Sequence, residues 1–154
     1  MTQATELVNI FMQTLETKDH DRAASYLADD FLFNGFTPKP LGKDEFMTLM
    51  SGLQEGMPNL SYHLQDVKEV EERSEGNRVE GNVHITGVQT ETFIVPPLGL
   101  PPIPQTAKSV SLPSEVWTFV VRNGAIHAIH TSKVPGGDIK GLLNQLGINV
   151  PIIQ

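Results

Sequence analysis

The residue best suited to chemistry in this chain is a carboxylate on an aromatic strand face. In Ser114-Glu115-Val116-Trp117-Thr118-Phe119-Val120-Val121, Glu115 has the parity of Trp117, Phe119 and Val121. Side chains two apart on a strand share a face. Glu115 therefore either lines a pocket or is buried at a cost that a partner must offset. Desolvation beside Trp117 and Phe119 would raise its pKa and fit it to donate a proton or a hydrogen bond near neutral pH. The alternative is a structural carboxylate bonded to Ser114, Lys108 or a helix end. His127 and His130 lie three apart, and on a regular strand such residues point to opposite faces, so only one could accompany Glu115. An imidazole has a suitable pKa for a base. No pair of histidines has a spacing suited to a metal. The chain has no cysteine, which excludes thiolate nucleophiles and zinc–cysteine sites. It also carries no P-loop, glycine-rich phosphate loop or nucleophile elbow. Neither a metal nor a cofactor is expected.

Three long strands should position Glu115: Arg78–Val95, Lys108–Arg122 and Ala125–Val134. The first two are joined across a proline-rich segment, Pro96 to Pro104, and the last two by Asn123-Gly124, a strong hairpin signal. In the first, Val79, Gly81, Val83, Ile85 and Gly87 share one face and Glu80, Asn82, His84 and Thr86 the other. Upstream, Val8, Phe11 and Leu15 recur at helical spacing over Gln3–Thr17, with Thr2 able to cap the start. A short helix over His20–Ala28 follows, with Asp19 as its N-cap. Phe31–Phe36 reads as a strand closed by Pro38 and Pro40. Gly42-Lys43-Asp44-Glu45 leads into a third helix bearing Phe46, Leu49, Met50 and Leu53, which Gly56 and Pro58 stop. Another strand runs from about Asn59 to Val70, and Glu71 to Gly76 forms a charged connection. After Gly136-Gly137, Asp138 can cap a helix of Ile139, Leu142, Leu143 and Leu146 that Gly147 ends, and Ile148 to Ile153 form an apolar tail expected to dock. The order predicts an α+β fold, with helices on one side of a curved, mainly antiparallel sheet that can close as a cone around a cavity.

At 154 residues the chain fits one domain spanning 1–154. Its net charge of −7, with 11 Lys and Arg scattered singly, disfavours nucleic acid. No segment approaches a membrane span of about 20 apolar residues, and Met1 to Glu6 lack the features of a signal peptide. A cytoplasmic protein is the expectation.

Several stretches resemble the nuclear-transport-factor-2-like superfamily. Thr5–Asp30, with "ETKDHDRAASYLADDF", is similar to its opening helix-turn-helix, and Gly42–Leu53 to its glycine-led helix. "MPNLSYHLQDV" resembles the start of its next strand. "NRVEGNVHITGVQT", the proline-rich loop with Thr106-Ala107-Lys108, and "SEVWTFVVRNGAIHAIH" resemble the SnoaL-like branch, which includes polyketide cyclases. The resemblance implies a cystatin-like α+β roll: a cone-shaped sheet wrapped on N-terminal helices, with an internal cavity and commonly a homodimer. It implies an inward acid at Glu115, where steroid isomerases and polyketide cyclases carry an aspartate, and an inward polar or aromatic residue at His130. Gln89 stands where some cyclases have a histidine. Phe11 replaces the steroid isomerases' tyrosine, and Asn34-Gly35 their base aspartate, so that activity is disfavoured. Asn34 could still orient a ligand, and Tyr62 could bond one, with Phe11 and Trp117 as apolar lining; the alternative for each is a residue that a core or a turn requires. The expected partner is a small apolar molecule. It would be bound with or without cofactor-free acid–base chemistry of isomerase, cyclase or hydrolase type; the alternative is a non-catalytic carrier or dimerisation module.

Overall fold

The computed structural model describes residues 3–37, 39–73, 76–132 and 134–148. The expected roles of Thr2, Pro38, the Ser74-Glu75 tip and the tail beyond Ile148 lie outside these residues. Helix α1 (Gln3–Glu16) buries Val8, Phe11, Met12 and Leu15 along one stripe. Lys18 turns the chain with φ +68°, and α2 (His20–Ser25) follows, without a side-chain cap from Asp19. This helix ends sooner than its composition suggests, because strand β1 (Leu27–Asn34) already begins at Leu27. A two-residue strand β2 (Leu41–Gly42) leads into α3 (Lys43–Gly56), where Gly42 N donates to Glu45 Oε1. Gln54 ties the three helices together, donating to Leu15 O and meeting His20 Nε2.

The remaining strands are β3 (Gln65–Arg73), β4 (Gly76–Val83), β5 (Thr86–Val88), β6 (Ser109–Ser111), β7 (Glu115–Arg122) and β8 (Ala125–Thr131). Six form one sheet in the order β2-β1-β8-β7-β4-β3, with β1 and β8 parallel and the other pairs antiparallel. Asn123 and Gly124 both adopt positive φ, 53° and 74°, as a two-residue turn of this twist requires. The two longest expected strands are each broken. β4 pairs with β7 as far as Val83↔Glu115, and β5 then pairs with β6 from Thr86↔Ser111 as a separate two-stranded sheet. Between these points His84 and Ile85 face Leu112, Pro113 and Ser114. The extra residue makes a bulge that bends the ribbon, and Pro113 has no N–H to continue the ladder. Gly81 and Gly87, to either side of this break, have a different role. A Cβ at those glycines would come 2.8 Å from Leu64 Cδ1 and 3.0 Å from Met57 Sδ, so they mark close side-chain approach.

The concave face is lined by rings. Phe33 meets Phe46 edge to face (4.7 Å between centroids) and Trp117 at a tilt (5.5 Å), and Phe31 lies 5.1 Å from Phe46. The proline-rich segment is anchored rather than loose. Phe93 and Ile103 exchange two backbone hydrogen bonds of 2.9 Å, and Gly99, at φ 71°, closes the turn onto Pro96 O. It lies directly on α3, because Gly52 and Gly56 have no side chain: a Cβ there would come 2.2 Å from Ile94 O and 2.0 Å from the Phe93 ring. In an open helix interior, Gly→Ala stabilises by about 1 kcal/mol. Here overpacking should win, and Gly52→Ala should lower stability by about 1–3 kcal/mol. Urea unfolding checks this, and a raised midpoint would show that the loop is not seated as described.

Candidate functional site

β7 carries Glu115, Trp117, Phe119 and Val121 on the concave face, as its alternation predicts. Glu115 is 3% exposed. Its Oε2 accepts a 2.7 Å hydrogen bond from the backbone N–H of Asp138, the first residue of helix α4 (Asp138–Gln145). Glu115 thus serves the start of a helix, the structural role weighed for it from sequence. Asp138 is not the N-cap: Gly137 is, and Asp138 Oδ1 accepts from Lys140 N (2.8 Å). The other oxygen of Glu115, Oε1, is buried without a partner, as are Trp117 Nε1 and Thr131 Oγ1. Trp117 pairs across the sheet with Thr131, so these three polar atoms belong to neighbouring inward positions. Among the described residues only one other buried side-chain atom, Glu69 Oε1, lacks a partner.

Burial raises the Glu115 pKa above its ordinary 4.5. The Asp138 N–H and the nearby Trp117 indole N–H oppose that rise, and the Asp138 carboxylate adds slightly to it. The indole lies close enough to favour the charged form but does not reach hydrogen-bond geometry. Around the site Trp117 contacts the rings of Phe33, Phe36, Tyr62 and Phe119, with centroids 5.5–6.3 Å away.

The other expected residues separate into two groups. Phe11 and Tyr62 are buried in the core. The Tyr62 hydroxyl meets Met50 Sδ at 3.4 Å, and burial, then the Glu16 charge, raise its pKa, so it stays neutral. His130, Asn34 and Gln89 do not join Glu115. His130 pairs with Thr118, on the opposite face from Trp117. It is exposed and lies 3.2 Å from Asn34 Nδ2, so both point away from the concave side. Partial burial and then the Arg78 charge lower the His130 pKa. The physical reason is a bulge in β8, where Val120 pairs with Ala128 but Val121 with Ile126. The extra residue turns both His127 and His130 outward, and His127 sits 2.9 Å from Asp30 Oδ1. Ile126 and Ile129, three apart and both fully buried, were the available signal, since a regular strand cannot bury both. The same bulge brings in Thr131, which sequence reading missed. Gln89 is buried, but its polar atoms are occupied. Nε2 donates to Ile103 O (3.2 Å) and Pro104 O (3.3 Å), and Oε1 accepts from Thr106 (2.9 Å). It clamps the proline-rich segment.

A surface depression of 560 Å³ lies between α1 and the Asn123-Gly124 turn; neither it nor two others, of 470 and 360 Å³, includes Glu115. No three His, Asp or Glu side chains gather as a metal set among the described residues, and no described helix is long and apolar enough to cross a membrane.

The raised pKa gives a signed pH dependence. Below about pH 4.5 both folded and unfolded states hold the Glu115 proton, and the contribution is fully present. As pH rises toward the folded pKa, the unfolded chain releases the proton first and stability is lost. Glu115→Gln keeps an acceptor for Asp138 N–H and has nothing to ionise. Urea midpoints at about pH 4 and about pH 7 should therefore show the variant gaining on the wild type as pH rises. A difference that stays flat or shrinks would contradict the raised pKa.

A sequence profile of the SnoaL-like domain matches residues 8–129. A SnoaL-like protein from Jannaschia sp. CCS1, assigned as a polyketide cyclase, superposes with a TM-score of 0.70 at 16% identity, covering 96% of this chain and 94% of that one. A protein from Xanthomonas campestris pv. campestris, also assigned as a polyketide cyclase, gives 0.66 at 19% identity, with 94% and 96% covered. An LEH-like epoxide hydrolase of M. tuberculosis gives 0.59 at 17%, with 94% and 92% covered. No curated protein sequence matches this chain. At these identities the structural likeness carries the fold and not an activity. The profile covers most of the chain, and the chain belongs to the SnoaL-like family.

Proposed function

We propose that this protein binds a small apolar molecule on the concave side of its sheet and holds one oxygen of that molecule with Glu115, Trp117 and Thr131. The observation that carries this reading is the set of buried, unpartnered atoms Glu115 Oε1, Trp117 Nε1 and Thr131 Oγ1 on an otherwise aromatic surface. Buried polar groups are almost always paired, and three unpaired on neighbouring positions fit a site whose partner comes from outside the chain. The indole N–H only donates, the hydroxyl does either, and a carboxyl of raised pKa can donate. Such a group suits a carbonyl, ether or hydroxyl oxygen. Cofactor-free general acid chemistry of isomerase, cyclase or hydrolase type is the second reading, favoured by the Glu115 pKa alone. No base accompanies it among the residues expected from sequence, since His130 and Asn34 face outward and Gln89 is occupied. Binding without turnover is therefore the preferred reading.

Thermal-shift and native mass-spectrometric screening against aromatic polyketides and terpenoids tests the proposal. For a ligand so found, Thr131→Val should weaken binding about 5–10-fold while leaving the free protein as stable or more so, because an unpaired buried hydroxyl is removed. A residue that serves only the fold would not separate these two effects. Equal affinity in wild type, Thr131→Val and Trp117→Phe would sink the reading. Turnover of a ligand that survives Glu115→Gln unchanged would remove the acid role.

A second copy of the chain is the proposed protein partner. Leu32, Val70 and Val116 on β1, β3 and β7 are 46%, 43% and 36% exposed, beside the polar Glu80 and Asn82 of β4. This mixture suits a partly wet homodimer contact. Sedimentation at micromolar protein should give a dimer that Val116→Lys dissociates, whereas a wild-type monomer would refute it.

A further inference from the structure

We propose that α4 is a lid over the Glu115 site, latched at its start by Glu115 itself and hinged at Gly136-Gly137. The inference rests on the binding reading above and concerns how that site is reached. Four independent features carry it. First, the helix starts at the site. Asp138 N donates to Glu115 Oε2 (2.7 Å), and Ile139 N to Phe36 O (3.0 Å). Phe36 is itself a ring neighbour of Trp117 at 6.3 Å. α4 therefore bridges the ends of β1 and β7, where the unpartnered atoms lie.

Second, its far end has a separate fastening. Gln145 Oε1 accepts from Ser111 N (2.7 Å), and its Nε2 donates to Ser111 O (2.8 Å). One side chain holds both backbone groups of one β6 residue, and it does so at the surface. Third, the connection is built on two glycines. Gly136 has φ +79°, and a Cβ there would meet nothing within 4 Å. Gly137 is tight instead: a Cβ would lie 2.5 Å from Glu115 Oε2 and 2.6 Å from Val134 Cγ2. Only glycine lets the chain pass close enough for Glu115 to reach the helix.

Fourth, α4 has eight residues, too few to be stable alone. It holds its shape by docking Ile139, Leu142, Leu143 and Leu146 into the core. The lid requires this element to open below the free energy of global unfolding. The open form is a minor state, because it exposes those four side chains, and a ligand that enters through it selects it. Opening also frees Glu115 Oε2, so both carboxyl oxygens become available to the ligand at once.

The test uses the chain's single tryptophan, Trp117, which is fully buried at the site. Acrylamide quenching of its fluorescence reads access, and amide hydrogen exchange reads opening. In the wild type, α4 amides should exchange at least about tenfold faster than those of β7. Gln145→Ala, which removes two hydrogen bonds remote from the site, should speed α4 exchange by about tenfold and raise Trp117 quenching, with β7 exchange unchanged. Gly137→Ala should do the same by pushing Glu115 off the helix start. Exchange of α4 at the β7 rate would overturn the lid, because the helix would then leave only on global unfolding. Faster α4 exchange in Gln145→Ala with wild-type quenching would overturn it equally, because the helix would not cover the site. Neither readout uses a ligand, so the lid and the binding reading fail separately.

Discussion

Where Leu112, Pro113 and Ser114 stand opposite His84 and Ile85, the two sides of a long ribbon differ in length by one residue. A ladder cannot absorb that difference without bending, and much of the molecule follows from the bend. It splits the ribbon into the β4–β7 part of the main sheet and the separate β5–β6 pair. It makes Glu115 the first residue of a strand rather than one in the middle of a ladder. A first residue has a loop on one side, and into that gap the start of α4 comes within hydrogen-bond reach of the carboxylate. The aromatic interior then shields the same carboxylate from water. Curvature, helix docking and the raised pKa therefore share one cause.

The chemistry that results is lopsided. One carboxyl can give a proton or a hydrogen bond, and an indole and a hydroxyl stand near it without partners. Neither His130 nor Asn34, the groups expected to accompany it, lies on the inward side. The tyrosine beside Trp117 is held neutral by burial and faces a methionine sulfur. Both histidines of β8 lie on the outer side. Such a set can grip an oxygen or polarise a bond to it, but moving a proton in both directions would need a group brought by the bound molecule or its water.

Much of the fold was legible because it rests on local rules. The Asn123-Gly124 turn, the stripe on α1 and the parity of Glu115 with Trp117 and Phe119 all follow from spacing, and the structure keeps them. The failures lie where one residue of register is gained. Alternation allowed only one of His127 and His130 inside and the family resemblance chose His130, but with the bulge near His127 both face outward and Thr131 stands opposite Trp117. The resemblance set Gln89 where some cyclases have a histidine, yet its partners, Ile103, Pro104 and Thr106, are 14 to 17 residues away along the chain. That pairing depends on how the proline-rich segment folds back. Gly52 and Gly56 likewise look like a weak and a terminal helix position until the backbone laid against them is known. The carboxylate was visible from its neighbours in sequence, whereas its helix was not, because Asp138 reaches it only through tertiary docking.

The parallel pairing of β1 with β8 bears on how the chain folds. Asn34 lies beside His130, 96 residues later, while hairpin neighbours such as Val120 and Ala128 are eight apart in numbering. Closing so long a loop costs entropy before any contact rewards it. The hairpins of β3–β4 and β7–β8 can form locally, but the strand that joins the helices to the sheet must wait for the most distant partner. High contact order slows folding, and until β8 arrives one edge of β1, with Phe31 and Phe33 on its inner face, is uncovered. During that interval the exposed edge is open to pairing with a neighbouring molecule.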